Sequence, residues 1–497
     1  MAINNLFGAL QNAVSGLNAT GVRTAVTASN VANALTPGYS REIANLATQA
    51  GGGVQVVSVT RAGDPFQLPL QLTATGAAAA ANAQATILGQ FGASLGTVAS
   101  GAPLSNDITN LQTDFTALTN NPAGGPEQQA VIVDANSLVS DLHGTTTAIQ
   151  GFRGQADQAI AGAVAQANQD LSQLASLNQE AGSAVSPALF DQQDTALKDL
   201  AKQIGISFSR GSTGQVQVFA ENGSPLLLGQ TAATLSFNQT GIIGTNDAYV
   251  PPGSVPGPGQ NPILSGILLQ PPGGVPAVNI TAGLKSGAIG GNLQLRDKIL
   301  PQAQAQIDEF SAELTVGFEG TGTGYGGTAV QLFTDGPPAG FPPPTFTNTP
   351  ANVLGYAGRI AVNPIVQIQP WRLRDGTNPT SVPAPGAPGN TAVLTTIDTA
   401  LTTNQAFAAG TGLPTSATYS QYANAFVGFQ AVQAATLQGQ SAAGQSLVTA
   451  GILQQTSGVS LDQEMVDLQI EKIAYSANAK TLKTAEEMTK TLLNIKA

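Results

Sequence analysis

Each end of the chain carries one long amphipathic pattern, and neither end holds a local partner that could bury its apolar stripe. At the start, Ile3, Phe7, Leu10, Val14, Leu17, Gly21, Thr24, Ala28 and Val31 recur in steps of four and three. That heptad spacing keeps one residue per turn on a single helix face. The later positions of the row are small, so a partner helix could approach closely there. The helix would be roughly 40 Å long at the usual rise per residue. Thr36-Pro37-Gly38 stops it, because proline disfavours helix in the residue before it and glycine permits the turn. At the other end no proline or glycine interrupts Ser460 to Ile495, and Leu461, Leu468, Tyr475 and Leu482 form one row at seven-residue spacing. Met488, Leu492 and Ile495 continue an apolar face. Ser460 is placed as N-cap, with Gln463 and Glu464 positioned to close a capping box. The two helices are expected to pack on each other or on other copies of the chain; the plainer reading is a pair of ordinary core helices.

Composition favours packing against neighbours. Charged residues make up only 9% of the 497, where about 25% is usual. A surface so poor in charge, and rich in Ala, Gly, Gln, Asn and Thr, suits a protein held in an assembly. The net charge of −11 and the scattered 18 basic residues argue against nucleic acid and against a polybasic membrane patch. Without cysteine there is no disulfide framework, thiolate metal site or thiol nucleophile. The first residues lack a cationic start followed by an apolar core, so no secretory signal peptide is expected, and no stretch is apolar enough for a membrane span.

Between the ends the pattern changes in blocks. Val54, Val56 and Val59 follow the turn signal Gly51-Gly52-Gly53 and predict a short strand pair that closes at Gly63-Asp64-Pro65. Residues 77 to 205 read as helical, broken at Asn120-Asn121-Pro122-Ala123-Gly124-Gly125-Pro126. Beyond Gly205 short β-like runs appear at Ile206–Phe208, Val216–Phe219 and Leu226–Leu228. Pro251 to Pro276 and Thr334 to Pro388 read as loops, separated by a helical pattern from about Gly287 to Val316. A last inner helical stretch runs from about Ser416 to Gln455. The expected class is α+β multidomain. Residues 1–50 and 456–497 would form a terminal coiled-coil core domain. Residues 51–205, 284–320 and 400–455 would form a helical bundle domain with the short strand pair. An inserted β-rich, Pro/Gly-rich outer domain would take 206–283 and 321–399.

No residues assemble into catalytic chemistry. The glycine run Gly320-x-Gly322-x-Gly324-x-Gly326-Gly327 follows a helix rather than a strand and lacks the lysine of a phosphate loop, so it reads as a loop. His143 is the only histidine and cannot build a multi-histidine zinc site. The carboxylate pairs Asp191/Asp194 and Glu309/Glu313 lie at helical spacing and read as solvated faces rather than a glycosidase pair. The expectation is no enzyme, no catalytic residue, no metal and no cofactor.

One resemblance organises these features. Ser29-Asn30-Val31-Ala32-Asn33-Ala34-Leu35-Thr36-Pro37-Gly38-Tyr39-Ser40-Arg41 resembles the N-terminal motif of flagellar axial proteins, and its Asn30, Asn33, Thr36, Pro37, Gly38, Tyr39, Ser40 and Arg41 resemble the form found in the hook-associated protein 1 family. Ser457-Gly458-Val459-Ser460-Leu461-Asp462-Gln463-Glu464, Ala474-Tyr475-x-Ala477-x-Ala479-Lys480 and Thr491-Leu492-Leu493 resemble the closing helix of that family. Leu118-Thr119-Asn120-Asn121-Pro122 and Leu295-Arg296-Asp297 add family-like pieces in the middle. Gln463 stands where the family usually has an acid, Lys472 where it has glutamine, and the β-rich middle matches poorly.

The resemblance implies a structural subunit at the junction of hook and filament, needed for filament assembly. It implies that the terminal helices pair as an inner coiled coil, with Ile3, Phe7, Leu10, Val14, Leu17, Leu461, Leu468, Tyr475, Leu482 and Leu492 as packing residues. The implied partners are about eleven copies of itself in a ring or helical collar, the hook protein, a second junction protein toward the filament, and a cytoplasmic export chaperone. Neither nucleic acid nor membrane is among them. Type III export with an uncleaved signal would place the protein outside the cell. Other readings are another axial protein (hook, rod or flagellin-like) or a surface glycan-binding protein, for which Trp371 is the sole tryptophan available.

Overall fold

The computed structural model describes residues 2–36, 38–50, 52–63, 66–97, 102–183, 185–271, 275–319, 330–336, 346–378, 382, 384–456 and 459–496, with side chains outside 2–4, 452–456, 492, 493, 495 and 496. The chain opens with α1 (Ala2–Asn33), turns, and forms an antiparallel hairpin of β1 (Glu42–Thr48) and β2 (Val54–Arg61), with an irregularity at Asn45/Leu46. The hairpin packs on α1, so it starts earlier than the sequence suggested and sits with the terminal helix. The Val54 N–H donates to Ser15 Oγ at 3.1 Å. A two-stranded ribbon is marginal alone, and this one leans on the helix for its support.

Four helices follow: α2 (Gln67–Ser94), α3 (Pro103–Asn120), α4 (Gly125–Ala181) and α5 (Pro187–Gln203). The break at residues 120–126 is where the Pro and Gly signals put it. Then come β3 (Ile206–Arg210), β4 (Val216–Ala220), β5 (Pro225–Leu228) and β6 (Thr231–Ala232), paired in that order as an antiparallel sheet. A second small sheet joins β7 (Thr234–Ser236), β8 (Leu268–Gln270) and β9 (Val278–Asn279). The helical run α6 (Gly287–Gln294) continues through a π turn at Leu295–Ile299 into α7 (Leu300–Glu319). Short elements come next: β10 (Phe333–Asp335), α8 (Pro350–Val353), β11 (Ile360–Val362), α9 (Pro364–Ile368), α10 (Arg372–Asp375), α11 (Ala392–Thr402), β12 (Gln405–Ala406) and β13 (Ser416–Ala417). The chain ends in α12 (Tyr419–Thr456), which lies along α2, and α13 (Leu461–Lys496), which lies along α1. The molecule is mostly helical with several small sheets, and among the described residues no helix is long and apolar enough to cross a membrane.

Two apolar cores lie along α4, which at 57 residues is about 85 Å long. Val131 to Ala156 face one core with Phe115, Phe310, Tyr419 and Tyr422; Ile160 to Ala181 face the other with Leu197, Val218 and Ile289. Where α4 passes from one core to the other, a buried ionic joint closes the gap. Arg296, fully buried in the π turn, donates to Asp157 Oδ1 at 2.7 Å, Asp297 Oδ1 at 2.7 Å and the Ser265 carbonyl at 2.9 Å. Arg153 donates to the carbonyls of Arg296, Gly244 and Asp247. These bonds moor the 244–265 loop to the helical body.

Several sequence expectations take a different form. Residues 321–399, read as β-rich, hold among the described residues only β10 and β11 as strands. Leu332, Phe333, Ile360, Val362 and Leu373 are buried in the same core as α3, α7 and α12, so this part packs with the helices. The segment 251–276, read as a loop, contains β8, and its Leu264, Ile267 and Leu269 are buried, because the apolar run after Asn261 pairs with β7. The carboxylates read as solvated are engaged: Glu309 accepts from the Ala408 N–H and Glu313 from Asn348. Burial, helped by neighbouring Glu309, pushes Glu313 up to about 7. His143 Nε2 lies 2.9 Å from the Ile360 carbonyl, a structural contact. The glycine run from Gly320 to Gly327 lies outside the described residues.

Candidate assembly surface

The motif after α1 builds a tight joint. Asn30, almost wholly buried, uses its whole amide. Oδ1 accepts from the Glu42 N–H at 2.8 Å and the Tyr39 hydroxyl at 2.9 Å, while Nδ2 donates to the Glu42 carbonyl at 3.0 Å and Glu464 Oε2 at 3.1 Å. The side chain thereby takes the place of a strand partner for the first residue of β1. Asn33 Nδ2 caps the Ser29 carbonyl at 3.0 Å, and Thr36 Oγ1 donates to Asn33 Oδ1. Gly38 turns the chain at φ +85°, a conformation that L side chains avoid. Tyr39 is half-buried, and burial raises its hydroxyl pKa. The Ser40 N–H donates to Asp191 Oδ2 at 3.0 Å. Arg41 pairs with Glu464 at 2.5 Å and with Asp467 at 3.5 Å. Pro37 lies outside the described residues.

A second joint ties the hairpin to α5. Arg61 Nη1 reaches Asp191 Oδ1 at 2.8 Å and Asp194 Oδ2 at 2.7 Å, and Arg210 from β3 reaches Asp194 Oδ1 at 2.6 Å. Both guanidinium groups stack on the Phe190 ring, at 5.0 and 4.7 Å. Burial disfavours the Arg61 charge, but the two aspartates outweigh it and its pKa is raised. The Asp191/Asp194 pair is therefore an ion-pair anchor rather than a solvated face. A cleft of about 660 Å³ opens beside it, lined by Ser40, Arg61, Gln71, Phe190, Phe208 and Arg210. Both arginines there are already neutralised. Among the described residues no group of three or more His, Asp or Glu side chains could hold a metal ion.

The terminal helices run antiparallel and meet on a face that their apolar rows do not mark. Asn30 bonds to Glu464; Thr27 Oγ1 (3.1 Å) and Arg23 Nε (3.4 Å) both reach Glu471 Oε1; and Gly16 lies against Asn478. A Cβ on Gly16 would sit 2.6 Å from Asn478 Nδ2, so glycine is what lets the helices approach there. Ala13, Thr20 and Ala485 are buried along the same seam. It is a heptad seam of small and polar residues.

The apolar rows point elsewhere. Phe7 is 64% exposed, Leu468 40% and Tyr475 52%, and Val14 and Leu461 are exposed too, whereas Leu10, Leu17 and Leu482 are half-buried. The side chains of Ile3 and Leu492 lie outside the described residues. Beside the row, Met465, Val466, Ile470 and Ile473 are also exposed. Soluble monomers rarely show apolar side chains in such continuity. Sequence reasoning missed the polar seam, although Glu464, Glu471, Asn478 and Ala485 carry the same seven-residue spacing as the apolar row.

Comparison with known proteins gives three family models in chain order. Residues 10–39 match the flagella basal body rod protein, residues 88–322 the flagellar hook-associated protein FlgK helical domain, and residues 450–495 the flagellar basal body rod FlgEFG protein C-terminal segment. The curated flagellar hook-associated protein 1 of Salmonella typhimurium is 28% identical over 340 residues, covering 63% of this chain and 57% of that protein. The protein of the same name from Escherichia coli K12 is 29% identical over 247 residues, covering 46% and 44%. These alignments span about half the length of the curated relatives. The solved flagellar hook junction protein FlgK from Burkholderia pseudomallei is 25% identical over 55% of this chain and 47% of that one, with a TM-score of 0.44.

Proposed function

We propose, from the premise that this chain belongs to the flagellar hook-associated protein 1 family, that it is a structural subunit joining hook to filament and required for filament growth. The observation that carries the reading is the division of labour on α1 and α13. Their polar faces pair with each other within the chain, and their apolar faces are left for other copies. In this reading α1, the β1–β2 hairpin and α13 form the inner layer, with the helical body carried outside it by the Arg61–Asp191/Asp194 anchor. The partners are further copies in a collar, the hook protein on one side and a second junction protein on the other. Export as an unfolded chain would bring a cytoplasmic chaperone and an extracellular destination. The role is structural, without catalysis.

Replacing Leu468 by Asp tests this. Leu468 is well exposed in the single chain, so the change should alter the melting of the purified protein by no more than about 0.5 kcal/mol. In the assembly the same position would be buried in every copy, at a loss of roughly 1.5–3 kcal/mol of apolar burial plus a carboxylate penalty. Cells should then release the variant and unpolymerised flagellin into the medium and grow no filaments. Normal filaments would sink the assembly reading of this face.

A further inference from the structure

We infer that the terminal unit of α1, the β1–β2 hairpin and α13 hangs on the helical body by a releasable ionic latch, with Arg61 as its moving part, and pivots when the latch opens. Among the described residues, the two units pack most closely where β2 meets α5. The bonds at that contact are polar. Arg61 Nη1 reaches Asp191 Oδ1 and Asp194 Oδ2, and the Ser40 N–H donates to Asp191 Oδ2. The cleft beside these bonds is walled on one side by the hairpin end (Ser40, Val59 and Arg61) and on the other by the body (Gln71, Phe190 and Arg210). Room therefore lies where a close apolar contact would otherwise lock the two units together.

What makes the latch releasable is the way charge is divided. Asp194 is also bonded by Arg210 Nη2 at 2.6 Å, and the Arg210 guanidinium stacks on Phe190 at 4.7 Å. Both of those residues belong to the body, so Asp194 keeps a cation when Arg61 leaves. Lys198 follows Asp194 by four residues on α5, the spacing at which an acid and a later lysine share a helix face. Without Arg61 the body side still holds two acids and two cations, and is neutral. The Arg61 side chain is 17% exposed in the closed state and gains water on leaving. No buried charge is stranded on either side. The joint of Arg296 with Asp157 is the opposite case, because both side chains are fully buried and parting them would leave two bare charges in the core. The molecule thus holds a permanent ionic joint within its body and a wet one between body and terminal unit. Ion pairs reached by water weaken as salt rises. The latch is a property of the single chain and stands apart from the collar reading.

The chain has no cysteine, so spin labels can be placed one pair at a time. Thr48→Cys, exposed at the end of β1, and Gln179→Cys, exposed on α4, span the two units, and Gln179→Cys with Ala435→Cys on α12 gives a control distance inside the body. Double electron–electron resonance reads these spacings, with labelled full chain diluted into unlabelled so that only distances within one copy count. From about 0.05 M to about 1 M sodium chloride, the ratio of open to closed spacings should rise about tenfold while the control distance stays fixed. Arg61→Gln should be mostly open at either salt. Arg61→Lys, which keeps the charge but loses the fork, should open at lower salt than wild type. If Arg61→Gln melts early, Asp191→Asn, which leaves the Arg210–Asp194 pair in place, serves instead and should also open at lower salt. A wild-type spacing that ignores salt refutes the release. A distribution for Arg61→Gln, or for Asp191→Asn in its place, that matches wild type throughout the salt range refutes Arg61 as the latch. A control distance that changes together with the spanning one puts the movement inside the body and overturns the proposal.

Discussion

Removing the Glu464 carboxylate should loosen α1 from α13 without disturbing the helical body. In Glu464→Ala two contacts disappear. The Asn30 amide loses one bond but keeps its bond to the Glu42 carbonyl, so its share is about 1 kcal/mol. The Arg41 guanidinium loses a charge-assisted bond. It is a quarter exposed and keeps Asp467 at 3.5 Å, so water and that second acid reduce its share to about 1–2 kcal/mol. Together these weaken the seam by about 2–3 kcal/mol, which multiplies its opening by roughly 30- to 140-fold, at about 1.4 kcal/mol per decade. Native-state hydrogen exchange read by mass spectrometry over residues 13–30 should register that increase. Exchange in α4 and the melting of the two cores should stay as in wild type, because Glu464 touches neither. Unchanged protection of α1, or a loss spread equally over α4, would refute the view that this carboxylate holds the terminal pair.

Other substitutions probe the rest of the frame. Asp157→Ala leaves the Arg296 charge without a fully buried partner and should cost about 3–5 kcal/mol in denaturant unfolding, much of it recovered when Arg296→Met is added. Gly291→Ala places a Cβ 2.5 Å from the Ala80 carbonyl oxygen and 2.8 Å from its Cα, so α2 and α6 must separate; a loss of about 3 kcal/mol in the same assay is expected. Deleting residues 252–258, an exposed stretch ahead of the buried Leu264, should cost less than about 1 kcal/mol, since loop-closure entropy changes slowly with length. Extending the deletion through Ile267 and Leu269 should unfold the second sheet and lower the melting temperature sharply.

What the sequence made legible was local. The stop at Thr36-Pro37-Gly38, the Ser460 cap (the Gln463 N–H donates to its Oγ at 3.3 Å) and the helix break after Asn120 each depend on neighbours a few residues away. The capping box was only half formed, because Gln463 turns its amide along the helix to donate to Asp467 Oδ1, and Glu464 reaches out to meet Asn30 and Arg41, more than 400 positions earlier. Nothing local announces that choice. The same limit explains residues 321–399, where frequent proline and glycine hid apolar residues such as Leu332, Ile360 and Leu373 that the core recruits one at a time. Periodicity there is lost, because each buried residue arrives on a different short element.

The polar seam also shows why a heptad pattern could not be read one way only. A row of Leu, Val and Phe and a row of Ala, Gly, Thr, Asn and Glu can run along one helix at the same seven-residue spacing, and periodicity alone does not say which row meets the partner inside the chain. Packing does. A seam lined by Ala13, Gly16 and Thr20 lets two helices approach closely while burying little apolar area, and Asn30, Arg23 and Glu471 fix its register through directional bonds. Such a pair is held by geometry more than by the hydrophobic effect, so its closed state is shallow and its apolar rows stay available. Had Leu468 and Tyr475 faced α1 instead, the single chain would be more stable and would present less apolar surface to another copy. In the assembly proposed above, the stability that this arrangement gives up in the single chain would be restored by contacts with further copies.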